Sequence, residues 1–101
     1  MFFVVLGVDK PQSPLRQQLI DEHRTYLKKS PIPVISAGPL MDENRGDMIG
    51  SLIILESTSR EDVEDLMADE PFNRAGLFQI LHIHRWHQKV GAFQKEKELE
   101  T

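Results

Sequence analysis

The sequence predicts an α+β fold built from a four-stranded antiparallel sheet with two helices on one face. Short apolar runs rich in β-branched residues alternate with stretches of helical periodicity, in the order β-α-β-β-α-β. No internal repeat is present, and 101 residues is a usual length for one domain. We therefore expect one domain over residues 1–90, followed by a charged tail over residues 91–101.

The first strand is predicted for Phe2 to Val8, a continuous apolar run of the kind that is buried on both faces. Ser13 and Pro14 are typical of a helix start, with serine as the N-cap and proline at the first helical position. The first helix is expected to continue to about Lys28. Its apolar positions Leu15, Leu19, Ile20 and Leu27 share one broad face, whereas Arg16, Gln17, Asp21, Arg24 and Lys28 are polar.

A hairpin is predicted next, with strands over Val34 to Gly38 and Met48 to Leu55 and a loop over Leu40 to Gly46. Ser59, with Asp62 three residues later, is typical of the start of a second helix.

The second helix carries the apolar residues Val63, Leu66 and Met67 and is expected to end at the segment Asp69-Glu70-Pro71. A short turn over Asn73 to Gly76 precedes the last predicted strand, Leu77 to Trp86. From Gln94 to Glu100 the charges alternate, which is typical of a solvated, frayed helix or a disordered tail.

This element order, with right-handed crossovers, predicts a ferredoxin-like βαββαβ sandwich. The apolar residues on the sheet face without helices must be buried against another surface. Phe2 to Val8 and Leu52 to Leu55 are apolar at consecutive positions, whereas a half-solvated antiparallel strand would alternate apolar and polar residues. We therefore expect a homodimer in which two open sheet faces pack together.

The composition excludes several classes of protein. The chain has no cysteine, so disulfides, thiolate nucleophiles and zinc-thiolate sites are impossible, and a cytoplasmic location is the default. A net charge of −4 disfavours nucleic-acid binding, and the opening MFFVVLGVDKPQ is too short to span a membrane. No G-x-G-x-x-G, P-loop, G-x-S-x-G or H-E-x-x-H motif occurs, so a phosphate-cradling loop and a serine hydrolase are not expected. We also expect no cofactor. The expected partners are small molecules or copies of the chain.

His23 is the most informative candidate residue. It follows Leu19 by four residues and precedes Leu27 by four, which places it on the buried face of the first helix. Imidazole can act as an acid or a base near neutral pH, so a histidine facing the helix-sheet interior suits proton transfer. The alternative is a core histidine that only hydrogen-bonds a carbonyl group.

A carboxylate and several small residues complete the candidate site. Asp69 and Glu70 precede a proline at a helix end, so one of them could turn back toward His23 and orient its ring, or both could be solvated. Small residues in the hairpin strands leave room for a ligand, or they only mark turns: Ser36, Gly38, Gly50 and Ser51.

His82, His84 and His87 form an H-x-H-x-x-H pattern on and after the last strand. His82 and His84 share a face of that strand, but the sequence places no third ligand beside them. With Trp86 on the same face, we interpret them as packing residues of the sheet face or the dimer cleft. The alternative is a metal site that includes His82 and His84.

Taken together, several segments resemble the YciI-like (YCII-related) family over residues 1 to 90. They are Asp21-Glu22-His23-Arg24-x-Tyr26-Leu27, Ser36-Ala37-Gly38-Pro39-Leu40, Gly50-Ser51, Glu70-Pro71-Phe72 and Ala75-Gly76-Leu77. The resemblance implies a dimeric α+β barrel with an active site built on a histidine-aspartate pair. It also implies kinship with a dehydrochlorinase of chlorinated hydroxymuconate and, more remotely, with muconolactone isomerase.

The resemblance places the family histidine on His23 and the strand-end serine and glycine on Ser36 and Gly38. The acid departs from the family pattern, which has aspartate directly before the proline, whereas Glu70 stands there in this chain. Glu70 serves with an adjusted backbone, Asp69 substitutes for it, or the pair is degenerate.

These observations predict a small cofactor-independent enzyme that acts on a small organic acid. In this hypothesis His23 is the general acid/base, Glu70 orients it, and Ser36, Gly38, Ser51 and Phe72 contact a substrate held between the first helix and the sheet. The expected reaction is an elimination, such as a dehydrochlorination, or an isomerisation. The alternative is a non-catalytic ligand-binding or dimeric accessory protein.

Overall fold

Four antiparallel strands and three helices make up the chain in our computed structural model, which describes residues 1–91. The elements are β1 (Phe2–Asp9), α1 (Leu15–Lys28), β2 (Val34–Met41), β3 (Met48–Glu56), α2 (Arg60–Asp69), α3 (Pro71–Arg74) and β4 (Phe78–Trp86). The strand order in the sheet is β2-β3-β1-β4. This arrangement confirms the predicted ferredoxin-like α+β fold. The segment from Gln94 to Glu100 lies outside the described residues.

The core lies between the sheet and α2. Alternate residues of the two central strands face the helices and pack against the apolar side of α2; they are Phe3, Val5, Ile53, Leu55, Val63, Leu66 and Met67. The other face of β1 carries Val4, Leu6 and Val8, and Leu6 is 36% exposed. In the single chain, therefore, β1 is fully covered on one face only, whereas burial on both faces was expected.

The predicted N-cap is confirmed for α2 but is wrong for α1. The Ser59 hydroxyl accepts a hydrogen bond from the Asp62 amide at 3.2 Å, which is the N-cap geometry predicted for α2. The helix α1 begins at Leu15, one residue later than expected, so its N-cap is Pro14 and not Ser13, and no side chain caps it. The Ser13 hydroxyl accepts from the Leu15 amide at 3.3 Å. Arg16 departs from the polar pattern of α1, because it is buried.

The second strand is longer than predicted. We expected it to end at Gly38, but β2 continues through Pro39 and Leu40 to Met41. Proline is compatible with this position because β2 is an edge strand, where one side of the backbone needs no partner for its amide groups.

A third, short helix replaces the turn predicted for Asn73 to Gly76. The backbone of Glu70 leaves the helical region (φ −64°, ψ 129°), and α3 begins directly after it at Pro71. Gly76, with φ +82°, then turns the chain toward β4 in a conformation that favours glycine. None of the helices in residues 1–91 is long and apolar enough to cross a membrane.

Candidate active site

A cavity of about 570 Å³ lies between α1 and the β2-β3 side of the sheet. Successive turns of α1 contribute lining residues, namely Arg16, Ile20, His23, Arg24, Leu27 and Lys28. The sheet contributes Val34, Ala37, Gly38, Pro39, Met48 and Ser51. This is the space between the first helix and the sheet in which the sequence predicted a substrate.

Glu70 is a fully buried carboxylate at the junction of α2 and α3. Its two oxygens accept hydrogen bonds from the backbone amides of Phe72 and Asn73, each at 3.2 Å, so the side chain caps α3. The oxygen Oε2 also lies 2.7 Å from Nδ1 of His23. Because the Glu70 carboxylate offers only acceptor atoms here, Nδ1 must carry the proton in order to donate this hydrogen bond. Nε2 is then the basic nitrogen of the ring.

The His23 ring is held on a second side by aromatic packing. It stacks on Phe72 with 4.0 Å between the ring centroids and 16° between the planes. Phe72 is itself buried and meets the edge of Phe78 at 87°. The His23 side chain is 13% exposed and lines the cavity, and no group within residues 1–91 bonds its Nε2. The ring is thus fixed in orientation while its basic nitrogen stays unpaired.

Arg16 forms a second polar centre in the same cavity. Its Nε and Nη2 atoms bond the two carboxylate oxygens of Asp9 at 2.7 and 2.8 Å, and Nη2 also bonds Ser51 Oγ at 3.0 Å. Its guanidinium carbon lies 4.6 Å from the centre of the Phe72 ring. Neither Arg16 nor Asp9 was among the predicted site residues. The seven-residue spacing from Arg16 to His23, which places both on one face of α1, was the available signal.

The cavity carries an excess of positive charge. Three cationic side chains line it, those of Arg16, Arg24 and Lys28, and no aspartate or glutamate of residues 1–91 does so. Because Asp9 neutralises Arg16, the excess charge belongs to Arg24 and Lys28. Cationic walls around a low-dielectric cleft favour anionic ligands. The cavity is therefore suited to a small organic anion.

The structure brings most of the predicted site residues together. His23, Gly38 and Ser51 line the cavity, and Glu70 and Phe72 contact His23. Ser36 does not line it, because Ser36 pairs with Ile54 on the sheet face opposite to the helices.

The alternative acid Asp69 is exposed and lines a separate groove between α1 and α2. The carboxylate that contacts His23 is that of Glu70, the residue directly before the proline.

The remaining histidine pair lies on the open face of the sheet. The rings of His82 and His84 are 5.7 Å apart and tilted by 35°. Within the described part of the chain, no group of three or more His, Cys, Asp or Glu side chains could hold a metal ion.

Comparison with known proteins adds two findings. The family model of the YCII-related domain matches residues 1–87. Among the similar solved structures is 5-chloro-2-hydroxyhydroquinone dehydrochlorinase (TftG) from Burkholderia phenoliruptrix, in complex with 2,5-dihydroxybenzoquinone. The two chains are 31% identical, with a TM-score of 0.81, over 87% of this chain and 96% of the other. No curated protein matches the chain.

Proposed function

Because this chain belongs to the YCII-related family, as its residues predicted, we propose that it is a small enzyme in which His23 moves a proton on an anionic organic substrate. One observation carries the proposal: the His23 ring is bonded through Nδ1 to a buried carboxylate at 2.7 Å, while Nε2 has no partner in residues 1–91. A positioned imidazole of this kind is suited to general acid-base catalysis. The positive cavity beside it supports an anion as the substrate.

The proposed chemistry is an elimination or an isomerisation. Nε2 of His23 removes a proton, and the electron pair left behind moves toward a neighbouring carbon, from which an anion such as chloride departs. The products are the organic molecule with one more double bond, the protonated imidazole and the anion, so no electron acceptor is needed. The Glu70 carboxylate stabilises the positive ring formed in this step. In an isomerisation, His23 returns the proton to another atom of the same molecule.

The proposal is tested with the substrate named for the related dehydrochlorinase. We expect release of chloride from 5-chloro-2-hydroxyhydroquinone, or from related chlorinated hydroxy acids, and a decrease in kcat of about 10² to 10⁴-fold in His23→Gln. Binding of 2,5-dihydroxybenzoquinone should change little in this variant, because the cationic side chains remain. His87→Gln is the matched control, since His87 does not line the cavity.

The outcome that contradicts the proposal is a His23→Gln variant with unchanged kcat. Ligand binding by the wild-type chain without turnover of any compound would instead favour the alternative function, a non-catalytic ligand-binding protein.

We also propose that two copies of the chain pair through their open sheet faces. This face carries Leu6, 36% exposed, and Ile80, 42% exposed, beside the half-buried Val4, Val8 and Leu52. A second copy suits this face because a twofold axis makes one apolar patch complementary to itself. Light scattering after gel filtration should give about twice the 11.6 kDa mass of one chain. A mass of one chain at micromolar concentration would contradict this pairing.

A further inference from the structure

We infer that Arg16 is the anion-binding residue of the cavity, and that its Nη1 group donates hydrogen bonds to an ionised oxygen of the ligand. This inference rests on the proposed function, because it concerns the same cavity. It adds to that proposal a recognition residue and a substrate class, and it depends on the bonding of one guanidinium group.

The donors of Arg16 are only partly used by the protein. Nε and Nη2 bond Asp9, and Nη2 also bonds Ser51. Nη1 has no acceptor among residues 1–91, although Arg16 is only 6% exposed. Buried polar groups are nearly always hydrogen-bonded, to protein or to water, so this donor bonds either water or a ligand in the cavity that Arg16 lines. An ionised ligand oxygen is the stronger acceptor of the two.

The guanidinium group is fixed in place before any ligand arrives. The two-point contact with Asp9 sets the plane of the group, Ser51 holds one of its ends, and Phe72 packs against it at 4.6 Å. Donors that are already oriented lose little conformational entropy on binding and favour one ligand geometry. Phe72 also stacks on His23. Arg16 and the proton-transferring ring therefore pack against the same side chain.

The positions of Arg16 and His23 define a substrate class. Both groups pack on Phe72, whose ring centre lies 4.0 Å from the centre of the His23 ring and 4.6 Å from the guanidinium carbon of Arg16. An anion held at Arg16 and a reacting atom at His23 can therefore belong to one small molecule. We assign the cavity to single-ring or short-chain acids that carry both an ionised hydroxyl or carboxylate and the proton that is removed.

A purely structural role for Arg16 makes a different prediction. In that case the guanidinium would only join α1 to β1 and β3 through Asp9 and Ser51. Its replacement would lower the stability of the protein but would not discriminate between charged and neutral ligands. Ligand selectivity therefore separates the two roles.

The experiment uses the full chain and two pairs of probes. The anions are 2,5-dihydroxybenzoquinone and 4-hydroxybenzoate, and the uncharged partners are 2,5-dimethoxybenzoquinone and 4-hydroxybenzamide. We expect Arg16→Lys to weaken binding of an anionic probe by about ten- to hundredfold, because a charge-assisted hydrogen bond is lost, and to leave the neutral probes unaffected. Arg45→Lys is the control, since the Arg45 side chain is 75% exposed on the hairpin.

Wild-type protein provides a measurement that does not depend on the folding of a variant. In NMR spectra, the side-chain nitrogen signals of Arg16 should shift when an anionic probe is added and should not shift with its neutral partner. Unchanged Arg16 signals with both anions, or an equal loss of affinity for charged and neutral probes in Arg16→Lys, would overturn the inference.

The two proposals fail in different ways. If His23→Gln abolishes turnover while the Arg16 signals still shift with the anion, both proposals stand. If no turnover is found but the shift persists, the anion site stands without the enzyme. If turnover depends on His23 but binding does not depend on Arg16, only this inference is wrong.

Discussion

Glu70 combines three contacts in a single buried carboxylate. It accepts hydrogen bonds from two backbone amides of α3 and from His23. A glutamine at this position has one carbonyl oxygen in place of two acceptor oxygens, so its amide group must face a donor. We expect Glu70→Gln to lower the free energy of unfolding by about 1–3 kcal/mol, measured by urea denaturation. Asp69→Asn, at an exposed neighbour, should stay within about 0.5 kcal/mol of wild type. Equal effects of the two variants would contradict this account of Glu70.

The sequence predicted the site residues whose positions depend on a single helix or on its end. Helical spacing placed His23 toward the interior, and the proline after Glu70 indicated a carboxylate that leaves the helix. Arg16 was missed because arginine is usually exposed, although its spacing from His23 matches the buried face. Ser36 shows a different limit. The register shift between Val34 and Ser36 changes which strand residues share a face, and the sequence does not reveal such a bulge.

At the scale of elements, Tyr26 links the two long helices. Its hydroxyl on α1 donates a hydrogen bond to the Leu66 carbonyl of α2 at 2.7 Å. Burial, together with the carboxylates of Asp69 and Glu70, raises the pKa of the Tyr26 hydroxyl above its usual value of 10.0. The folded state therefore holds this proton more tightly than the unfolded chain, so the resulting stability is present below about pH 10. It is lost as the pH rises through the folded-state pKa.

We expect Tyr26→Phe to be less stable than wild type by about 1 kcal/mol at neutral pH, because one hydrogen bond is lost. The difference between the two proteins should shrink as the pH rises above about 10, since only the wild-type chain has the hydroxyl to titrate. Urea denaturation of both proteins at several pH values measures this difference in the free energy of unfolding. A difference that stays constant through this range would contradict the role of the Tyr26 hydroxyl.

The sheet contains a position at which only glycine fits. A Cβ atom at Gly50 of β3 would collide with the Gly7 carbonyl oxygen of β1 and would lie 2.8 Å from Leu40 Cδ1. We expect Gly50→Ala to cost about 1–3 kcal/mol of stability, because the central strands would have to separate. Gly38→Ala is the matched control, since no atom lies within 4 Å of the added methyl group. Thermal and urea denaturation of both variants measure the effect. Similar losses of stability in Gly50→Ala and Gly38→Ala would show that the close contact between β1 and β3 is not the cause of the loss.

Strand identities were predictable because strands of this sheet are apolar and bounded by turns. Their exact ends were not. The end of β2 was misjudged at Pro39, because the sequence does not show which strand will lie at an edge of the sheet. The helix α3 was missed for a related reason: its four residues are too few to show a helical period, and its start depends on the Glu70 side chain.

At the scale of the whole molecule, the open sheet face is the surface on which we propose that a second chain packs. The element order alone predicts that both long helices lie on one side of the sheet, which leaves the other side to a partner. Most of the residues that line the cavity belong to α1 and to the β2-β3 side of the sheet.

The last prediction tests the sheet-face pairing by placing a charge at its centre. Leu6 lies on the central strand β1 and is 36% exposed in the single chain, so Leu6→Glu would bury two carboxylates at or near the twofold axis of a dimer. Removing a carboxylate from water without a partner is costly, so we expect the variant to have the mass of one chain in light scattering. Val90→Glu is the control, because Val90 is 91% exposed and lies outside the sheet. If both variants kept the mass of two chains, the dimer would have to use another surface.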